Sequence, residues 1–483
     1  MTGITQESVP ERRPAGPTAG RVHFIGLGGA GMSAVARVLL GQGIPVSGSD
    51  AADSKSLRSL AALGAEVHVG HRAENVAGAS QVVISSAIRP DNPELLEARH
   101  RGITIQHRSE ALAAAMAGQR VIAVAGTHGK TTTTAMITVL LQAAGREPSF
   151  AIGGDVAALG VNARWSGGDV FVAEADESDG SFLNYSPQIA VVTNVEADHL
   201  DHYGTAAAVT AVFEQFVGLL PEDGVLIACA DDPGAAALAA AAAATRRVRT
   251  YGYSPTADIQ LGSTRALGST SNSVLSFAVD GLDAQQELQL SVPGTHNILN
   301  AAAAFAVGLE LGVDPAVAAE GLASFSGAAR RFEARGGGAG VRVFDDYAHH
   351  PTEVAAALAA ARTVAAGHAV HVLFQPHLFS RTREFADGFA AALDTADSAT
   401  LLPIYPARED PIPGITSDLI AGKLTRPGGY IQDQQAAVRE VAARASAGDI
   451  ILTVGAGDVT HLASGLVEAL RAREGTGTAD DDA

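Results

Sequence analysis

The chain has 483 residues, of which 47% are hydrophobic and 18% are charged, an ordinary globular composition. Its 52 acidic and 33 basic side chains give a formal net charge of −19, which argues against nucleic-acid binding outside a local basic patch. At roughly 150 residues per domain, this length predicts about three domains.

The two ends of the sequence and its single cysteine bear on where the protein works. Residues 1–20 lack the basic and then apolar plan of a secretory signal, and no uncharged apolar run reaches the roughly 18 residues of a membrane-spanning helix. Cys229 cannot form an internal disulfide, which is typical of a reducing compartment. We therefore predict a cytoplasmic protein without membrane insertion, with disordered tails over 1–20 and 474–483.

Three successive segments alternate strand, turn and helix, the pattern of parallel sheets covered by helices. The first segment, residues 21–118, begins with an apolar strand over 22–25 and a helix over 33–41, and has further strands at 45–47 and 82–85.

A glycine loop joins the first strand to the first helix. Gly26, Gly28 and Gly31 fit the pattern G-x-G-x-x-G, and Asp50 follows about twenty residues later at the end of the second strand. This arrangement predicts a site for a pyrophosphate and a ribose. A nicotinamide dinucleotide and a uridine diphosphate sugar both carry these groups, so an NAD-dependent oxidoreductase is one alternative.

The second and third segments continue the same alternation. In residues 119–327 the predicted elements are strands over 121–125, 170–173 and 189–192, hairpins at a sheet edge within 255–293, and a helix over 297–311. In residues 328–473 they are strands over 341–344, 369–374, 400–404 and 449–454. The interpretation is an α/β protein of three consecutive domains.

The second segment opens on a loop typical of phosphate binding. It follows an apolar strand and precedes a helical run over 132–144, so that backbone N–H groups and the helix N-terminus can face an anion. Lys130 would neutralise the β- and γ-phosphates of ATP, and the Thr131 hydroxyl would bind Mg²⁺. The usual motif has a glycine six residues before the lysine. Here Val124 stands there and Gly126 lies four before it, which indicates a shortened variant.

Acidic residues follow the next two strands of this segment. The run 174–177 (EADE) ends one strand, and 196–199 (EADH) follows the other. In a parallel sheet both would lie at the carboxyl edge, beside the phosphate loop. Carboxylates suit a hard cation, which predicts a magnesium site there.

Taken together, motifs from residue 21 to about 461 resemble the Mur ligase family. They are 23–32 (HFIGLGGAGM), 126–133 (GTHGKTTT), 174–179 (EADESD), 194–199 (NVEADH), 296–300 (HNILN), 330–333 (RRFE), 345–353 (DDYAHHPTE), 375–377 (QPH) with 380–383 (SRTR), and 455–458 (GAGD). The resemblance implies an N-terminal Rossmann-like domain, a central P-loop ATPase with a parallel or mixed sheet, and a C-terminal Rossmann-like domain.

The resemblance also implies a reaction. Sister ligases carry a carbamoylated lysine about fifteen residues after the metal histidine. Glu214 stands there in this chain, as in the branch that adds alanine. The implied activity is an ATP-dependent ligase that joins L-alanine to the carboxylate of UDP-N-acetylmuramic acid through an acyl phosphate, in peptidoglycan precursor synthesis. The cofactors would be ATP and Mg²⁺, and the protein would be a monomer or weak homodimer with small-molecule partners only.

Site residues follow from the same resemblance. The UDP substrate would meet Gly28, Gly29, Ala30, Gly31 and Asp50, with His71 and Ser85 as further candidates. ATP would meet Gly126, Thr127, His128, Gly129, Lys130, Thr131, Thr132, Asn297, Asn300, Arg331 and Asp346. Thr131, Glu174 and His199 would hold Mg²⁺, and the catalytic residues would be Lys130, Glu174, His199, Arg331 and Asp346. His349, His377 and Arg381 would lie near the substrates' carboxylates, while the roles of Arg330 and of Leu378, where some relatives have a basic residue, stay open.

Three rivals remain at this point: a ligase that recycles a ready-made peptide onto the same muramyl nucleotide, the oxidoreductase, and an ATP-binding regulator without turnover. A dedicated zinc site at His349 and His350 is not expected, because adjacent side chains at a strand end point in opposite directions.

Overall fold

The protein is described here by a computed structural model that covers residues 20–154, 156, 158–279, 281–407 and 409–476. Three β-sheets succeed one another along the chain, each covered by helices, so the predicted α/β class with three consecutive domains is confirmed. Within the described part of the chain, no helix combines the length and the apolar character needed to cross a membrane.

The first sheet is wholly parallel, with strand order β3-β2-β1-β4-β5. The order reverses at β1, and the crevice beyond such a reversal is where ligands bind in open α/β sheets. The glycine loop leaves β1 at this point. The elements are β1 (Arg21–Ile25), α1 (Ala30–Gly41), β2 (Val46–Asp50), α2 (Lys55–Ala62), β3 (Glu66–Val69), β4 (Ala79–Ile84), α3 (Pro93–His100), β5 (Thr104–His107) and α4 (Arg108–Ala115).

The second sheet is mixed, with order β14-β15-β13-β12-β11-β10-β6-β9-β7-β8 and β16 paired to β15. Its elements are β6 (Arg120–Ala125), α5 (Lys130–Ala143), β7 (Ser149–Ala151), β8 (Ala163–Arg164), β9 (Val170–Glu174), β10 (Ile189–Val192), α6 (Leu200–Tyr203), α7 (Ala206–Gly218), β11 (Val225–Cys229), α8 (Pro233–Ala242), β12 (Arg247–Gly252), β13 (Ile259–Leu261), β14 (Arg265–Leu267), β15 (Thr270–Val279), β16 (Leu282–Leu290), α9 (Thr295–Glu310) and α10 (Pro315–Ala323). The predicted edge hairpins are confirmed, since β14, β15 and β16 pair antiparallel.

The third sheet has order β17-β18-β22-β19-β20-β21 and is parallel except for β17. Its elements are β17 (Glu333–Gly338), β18 (Val341–Asp346), α11 (Pro351–Ala365), β19 (Val370–Phe374), α12 (Phe379–Glu384), α13 (Ala386–Leu393), β20 (Ser398–Leu401), α14 (Asp418–Ala421), β21 (Gly428–Tyr430), α15 (Gln434–Arg444), β22 (Ile450–Val454) and α16 (Leu462–Thr476). The strand predicted over 400–404 lies earlier, at β20.

The last helix extends three residues into the region predicted as the C-terminal tail. Helix α16 continues to Thr476, because the Glu474 carboxylate accepts the backbone N–H of Ala339 and Arg471 donates to the carbonyl of Gly337, both on or beside the edge strand β17. The remaining predicted tail residues, 1–19 and 477–483, lie outside the described residues.

Apolar packing joins the first two sheets more closely than the third. One continuous core contains side chains of both, with Met32 and Leu39 of α1 and Phe150 of β7 among its members. Gly41 lies so close to Trp165 that a Cβ there would approach the tryptophan Cβ to 2.6 Å. The third sheet has separate cores on its two faces, so its relation to the other two depends more on the polar contacts described below.

Candidate functional site

The carboxyl edge of the second sheet positions the centre of the site. Strand β6 lies between β9 and β10, and all three are parallel. Their carboxyl ends carry the phosphate loop, Glu174, and the run from Glu196 to His199. The predicted meeting of both acidic runs beside the loop is therefore confirmed.

Backbone geometry explains the unusual spacing of the phosphate loop. Val124 is fully buried inside β6, so the loop begins only after Ala125. Gly126 has a φ of 132°, and a Cβ there would overlap Thr193. Gly129 has a φ of 83°, and a Cβ there would lie 2.6 Å from the Asn300 side-chain oxygen. Both positions require glycine, one for the turn and one for close approach of α9.

Lys130 is held inside this loop by oxygen acceptors. Its Nζ donates to the carbonyls of Gly126 at 2.7 Å and Thr127 at 3.1 Å, and to Glu177 Oε1 at 2.8 Å. Burial lowers the pKa of Lys130, but Glu177 and Asp176 raise it more, so the net pKa lies above its usual value. The ammonium is therefore a fixed positive charge where phosphates would enter.

The residues proposed to hold a cation converge on one wall of this site. Thr131 Oγ1 donates to Glu174 Oε1 at 2.9 Å, and the other Glu174 oxygen accepts the N–H of Gly153 at 2.6 Å. Burial raises the pKa of Glu174, which means that its charge lacks full compensation. His199 stands nearby in a left-handed conformation, with Nε2 3.7 Å from both Glu177 Oε1 and Asp198 Oδ2. This oxygen-rich set fits a hard divalent cation.

A cavity opens on the other side of the loop. The predicted ATP residues that line it are His128, Gly129, Thr132, Asn297, Asn300, Arg331 and Asp346. Asn297 donates to the carbonyl of Pro293 at 2.7 Å, which fixes the first turn of α9. Burial lowers the pKa of His128, but Glu353 and Glu196 raise it to about 9. Burial and Arg331 lower the pKa of His296 to about 4.

A larger cleft is lined by residues from all three domains. From the first sheet come Gly29, Ala30, Gly31, Asp50 and Ser85; from the second, Thr127, Gly129, Lys130, Thr131, Glu174 and His199; from the third, Arg331, His349, His377 and Arg381. The structure thus brings the predicted diphosphate, phosphate and carboxylate residues to one cavity.

Asp50 and His71, both predicted at the UDP end, have different surroundings. Asp50 Oδ2 accepts the N–H of Gly28 at 2.8 Å, which couples the second strand to the glycine loop. Among the described residues that line the large cleft, Asp50 is present and His71 is not. The His71 ring instead contacts Ser49 at 2.9 Å and the fully buried Glu94 at 3.4 Å.

The two adjacent arginines of the third segment both line the large cleft but have different partners. Arg330 is tied to its own sheet, donating to Asp345 at 3.2 Å and to the carbonyl of Gly455 at 2.5 Å. Arg331 faces both cavities and lies 3.6 Å from Glu353. Asp346 accepts two backbone N–H groups at 2.8 Å, and burial raises its pKa to about 6.

Arg381 has a protein partner in this structure. Its guanidinium donates to Asp198 at 2.7 Å across the junction of the second and third sheets, and both side chains are almost completely buried. His377 lies 3.5 Å from Arg381, and its ring centroid is 5.9 Å from that of His349. Leu378 is buried with a φ of 68°.

Sequence reasoning did not select two charged residues that hold the site together, the buried Glu177 and the cleft residue Arg108. Glu177 is the counter-ion of Lys130 and belongs to the acidic run that was noticed, but only Glu174 of that run was chosen. Arg108 begins α4 at the carboxyl edge of the first sheet and donates to Asp176 at 2.7 Å. An arginine directly after a strand of a nucleotide-binding sheet was the available signal.

Comparison with known proteins agrees with this arrangement. Family models match residues 21–120 (Mur ligase family, catalytic domain), 124–308 (Mur ligase middle domain) and 330–457 (Mur ligase, glutamate ligase domain). A protein of Renibacterium salmoninarum named UDP-N-acetylmuramate–L-alanine ligase is 62% identical over 455 residues, which cover 93% of this chain and 96% of that protein.

Two solved structures extend the likeness to the fold. The UDP-N-acetylmuramate–alanine ligase of Thermotoga maritima superposes with a TM-score of 0.78 at 29% identity, over 95% of this chain and 100% of that one. A murein peptide ligase of Psychrobacter arcticus has a TM-score of 0.70 at 25% identity, over 94% and 99%. With three domain models matched in order and a relative at this identity, the chain belongs to the Mur ligase family.

Proposed function

We propose that this chain joins L-alanine to the carboxylate of UDP-N-acetylmuramic acid at the expense of ATP, in peptidoglycan precursor synthesis. The observation that carries the proposal is the cleft walled by the glycine loop, the phosphate loop and the third sheet. Its chemistry is that of a diphosphate site, an ATP site and an acceptor site that open on one another. The 62% identical relative carries the name of this reaction.

Each part of the cleft has a proposed ligand. The loop from Gly28 to Gly31, with Asp50 and Ser85, takes the uridine diphosphate. The loop from Gly126 to Thr132 takes the ATP phosphates, with Asn297, Asn300 and Asp346 on the nucleoside side and Arg331 toward the γ-phosphate. Mg²⁺, held by Thr131, Glu174 and His199, would supply positive charge to the phosphate oxygens. His349, His377 and Arg381 border the space for the carboxylates.

The reaction needs an activated carboxylate, because an oxide ion is not a viable leaving group. The muramyl carboxylate attacks the γ-phosphorus of ATP, the bond to the β–γ bridging oxygen breaks, and an acyl phosphate and ADP result. The amine of L-alanine then attacks the acyl carbon, and phosphate leaves from the tetrahedral intermediate with loss of a proton from nitrogen. Lys130 and Arg331 offset the charge of an anion that attacks an anion.

Arg381 has a further consequence in this scheme. Because it is paired with Asp198, a substrate carboxylate can reach it only by sharing or displacing that partner. We infer that the third sheet moves relative to the second during the cycle, and that this pair is one of the contacts that rearranges.

The test is a phosphate-release assay with the purified full chain. Phosphate should appear only when ATP, UDP-N-acetylmuramic acid and L-alanine are all present. Release without alanine would indicate a plain ATPase. Release with a free tripeptide in place of alanine as the amine substrate, and none with alanine, would instead identify a recycling ligase and overturn the proposal. Binding of ATP without any release would identify the non-enzymatic regulator.

We also infer the domain boundaries of the chain, its oligomeric state and its location in the cell. The three functional parts would be residues 21–118, 119–327 and 328–473, acting as a monomer or weak homodimer in the cytoplasm, where ATP is available. Light scattering across a concentration series should give a mass near 49.0 kDa with at most a weak rise. A constant dimeric mass at every concentration would contradict this.

A further inference from the structure

A cluster of two histidines and one glutamate lies where the phosphate loop meets the third sheet. His128 Nε2 is 3.6 Å from Glu196 Oε2, and His350 Nδ1 is 3.8 Å from the same oxygen. One donor atom from each residue can be chosen so that all three lie within 4.8 Å of one another. This is the spacing at which side chains can share one ion.

Both imidazoles of the cluster are largely buried, and one nitrogen of each has no hydrogen bond with a described residue. His350 is 5% exposed, and the side chain of His128 is 11% exposed. Nε2 of each ring is buried and has no hydrogen-bond partner within the part of the chain that the structure describes. An unpartnered buried nitrogen is unfavourable unless something binds it. For His128, that nitrogen is the one that faces Glu196. In His350 the nitrogen that faces Glu196 is Nδ1, which accepts the backbone N–H of Thr352 at 3.4 Å.

A second carboxylate, that of Glu353, contacts the other nitrogen of the His128 ring. His128 Nδ1 lies 3.2 Å from Glu353 Oε1, on the side of the ring opposite Nε2. Metal-bound histidines commonly donate their second N–H to a carboxylate in this way, which fixes the tautomer and aims the other nitrogen at the metal. Glu196 is itself oriented by the Thr352 hydroxyl at 2.8 Å.

We propose that His128, Glu196 and His350 form a binding site for Zn²⁺, with water as the fourth ligand. Two imidazoles and one carboxylate are a common zinc donor set. Zn–N and Zn–O bonds near 2.0–2.1 Å put tetrahedral ligand atoms about 3.4 Å apart. The observed 3.6 and 3.8 Å are close to this value, and His350 Nδ1 would exchange its contact with the Thr352 N–H for the ion.

This site is separate from the proposed magnesium site. Thr131, Glu174 and His199 form an oxygen-rich set that suits a hard cation, whereas two imidazoles favour zinc. The two sets share no residue. The prediction that His349 and His350 do not share an ion is unaffected, because His350 is grouped here with residues of the second sheet while His349 contacts Tyr347 and Glu353.

Zinc at this position would connect two moving parts. His128 and Glu196 belong to the edge of the second sheet, and His350 precedes α11 of the third. An ion bound to all three would hold the phosphate loop against the third sheet. It would therefore stabilise one arrangement of the two and slow any cycle that requires them to separate.

The experiment is a Zn²⁺ titration of the metal-free full chain, without nucleotide or Mg²⁺, in competition with a chromophoric chelator. His350→Gln and Glu196→Gln should each lose one zinc equivalent or weaken it by at least about tenfold. His199→Gln, in the magnesium site, should keep that equivalent. So should His100→Gln, a matched control whose side chain is 83% exposed.

Thermal unfolding supplies an independent reading. Zn²⁺ should raise the unfolding temperature of the wild type and of His100→Gln, but not that of His350→Gln, because only a ligand bound to the folded state stabilises it. Glu196→Gln keeps the size and shape of a partly exposed side chain, so we expect it to fold normally. If His350→Gln folds poorly, zinc binding by Glu196→Gln provides the test of the site. Equal zinc stoichiometry and affinity in wild type and Glu196→Gln would overturn the site, whatever the result of the ligase assay.

Discussion

Lys130 shows how a single residue is prepared for its task before any ligand arrives. Its ammonium already donates to two loop carbonyls and to the Glu177 carboxylate. These hydrogen bonds hold the side chain in one conformation. Incoming phosphates would replace these acceptors with stronger negative charge. Lys130 is therefore preorganised to stabilise the negative charge of the transition state.

Removal of this charge should have a large effect on turnover. We expect Lys130→Ala to lower kcat by about 100- to 1000-fold, the range observed when one preorganised charge-stabilising group is lost. The measurement is phosphate release at saturating substrates. Lys423→Ala, a lysine paired with Asp387 at the surface, is the control and should be close to normal. Near-normal turnover in Lys130→Ala would refute the role given to the loop.

Glu94 is a second residue whose surroundings make a definite prediction. Burial raises its pKa, but hydrogen bonds with His23, Ser49 and Asn75 lower it more, to about 2. A carboxylate with a depressed pKa contributes stability that is complete above its unfolded value of 4.5 and is lost as the pH falls through 2. Glu94→Gln should thus be less stable at pH 7, by on the order of 2 kcal/mol.

The pH profile distinguishes this charge effect from simple loss of packing. Urea unfolding of wild type and Glu94→Gln should give free energies that converge as the pH is lowered from 4.5 toward 2. A difference that stays constant over that interval would show that the charge of Glu94 is not the cause.

At the scale of elements, the site depends on how helices begin. Helix α5 starts at Lys130 directly after Gly129, and α9 passes so closely that Asn300 occupies the space a Cβ would need. The phosphate loop, α5 and α9 are therefore one unit. Sequence motifs place these elements far apart, and only their packing explains why both glycines are needed.

Gly129→Ala should accordingly disturb both folding and nucleotide binding. The strained φ costs about 1–3 kcal/mol, and the contact with Asn300 adds to it. Gly145→Ala is a matched control just after the same helix, with a φ of 71° and open space around it, so it should show the strain alone. We expect weaker ATP binding by calorimetry only in Gly129→Ala. Equal nucleotide affinity in both variants would contradict the coupling to α9.

At the scale of the whole molecule, the first two sheets share an apolar core while the third meets the second through charged groups. The pair of Arg381 and Asp198 is the most buried of these contacts. Around it lie His128 with Glu353 and Thr352 with Glu196. Polar contacts of this kind can exchange partners with substrates, which an apolar core cannot do.

Breaking the buried pair should be costly for stability. Arg381→Ala leaves the Asp198 carboxylate buried without a partner, and we expect a loss of about 3–5 kcal/mol in urea unfolding. Arg58→Ala removes an exposed pair with Asp53 and should cost less than about 1 kcal/mol. If both variants lose the same small amount, the Arg381 pair does not hold the third sheet in solution.

The sequence by itself determined the local parts of this protein. Apolar strands followed by glycine loops predicted β1 and β6, and the acidic runs predicted the ends of β9 and β10, because these patterns depend on short-range chemistry. The edge strand β17 was not predicted, since Glu-Ala-Arg-Gly-Gly-Gly lacks apolar alternation and forms a strand only by pairing with β18.

Only the tertiary structure decided which groups meet. The pairing of Arg381 with Asp198, of Arg108 with Asp176, and the grouping of His128, Glu196 and His350 join residues far apart in the chain. Such contacts depend on how three sheets are oriented, and no local pattern encodes that orientation. The identity of the reaction lay in the motifs, whereas the charges that hold its parts together became visible only in three dimensions.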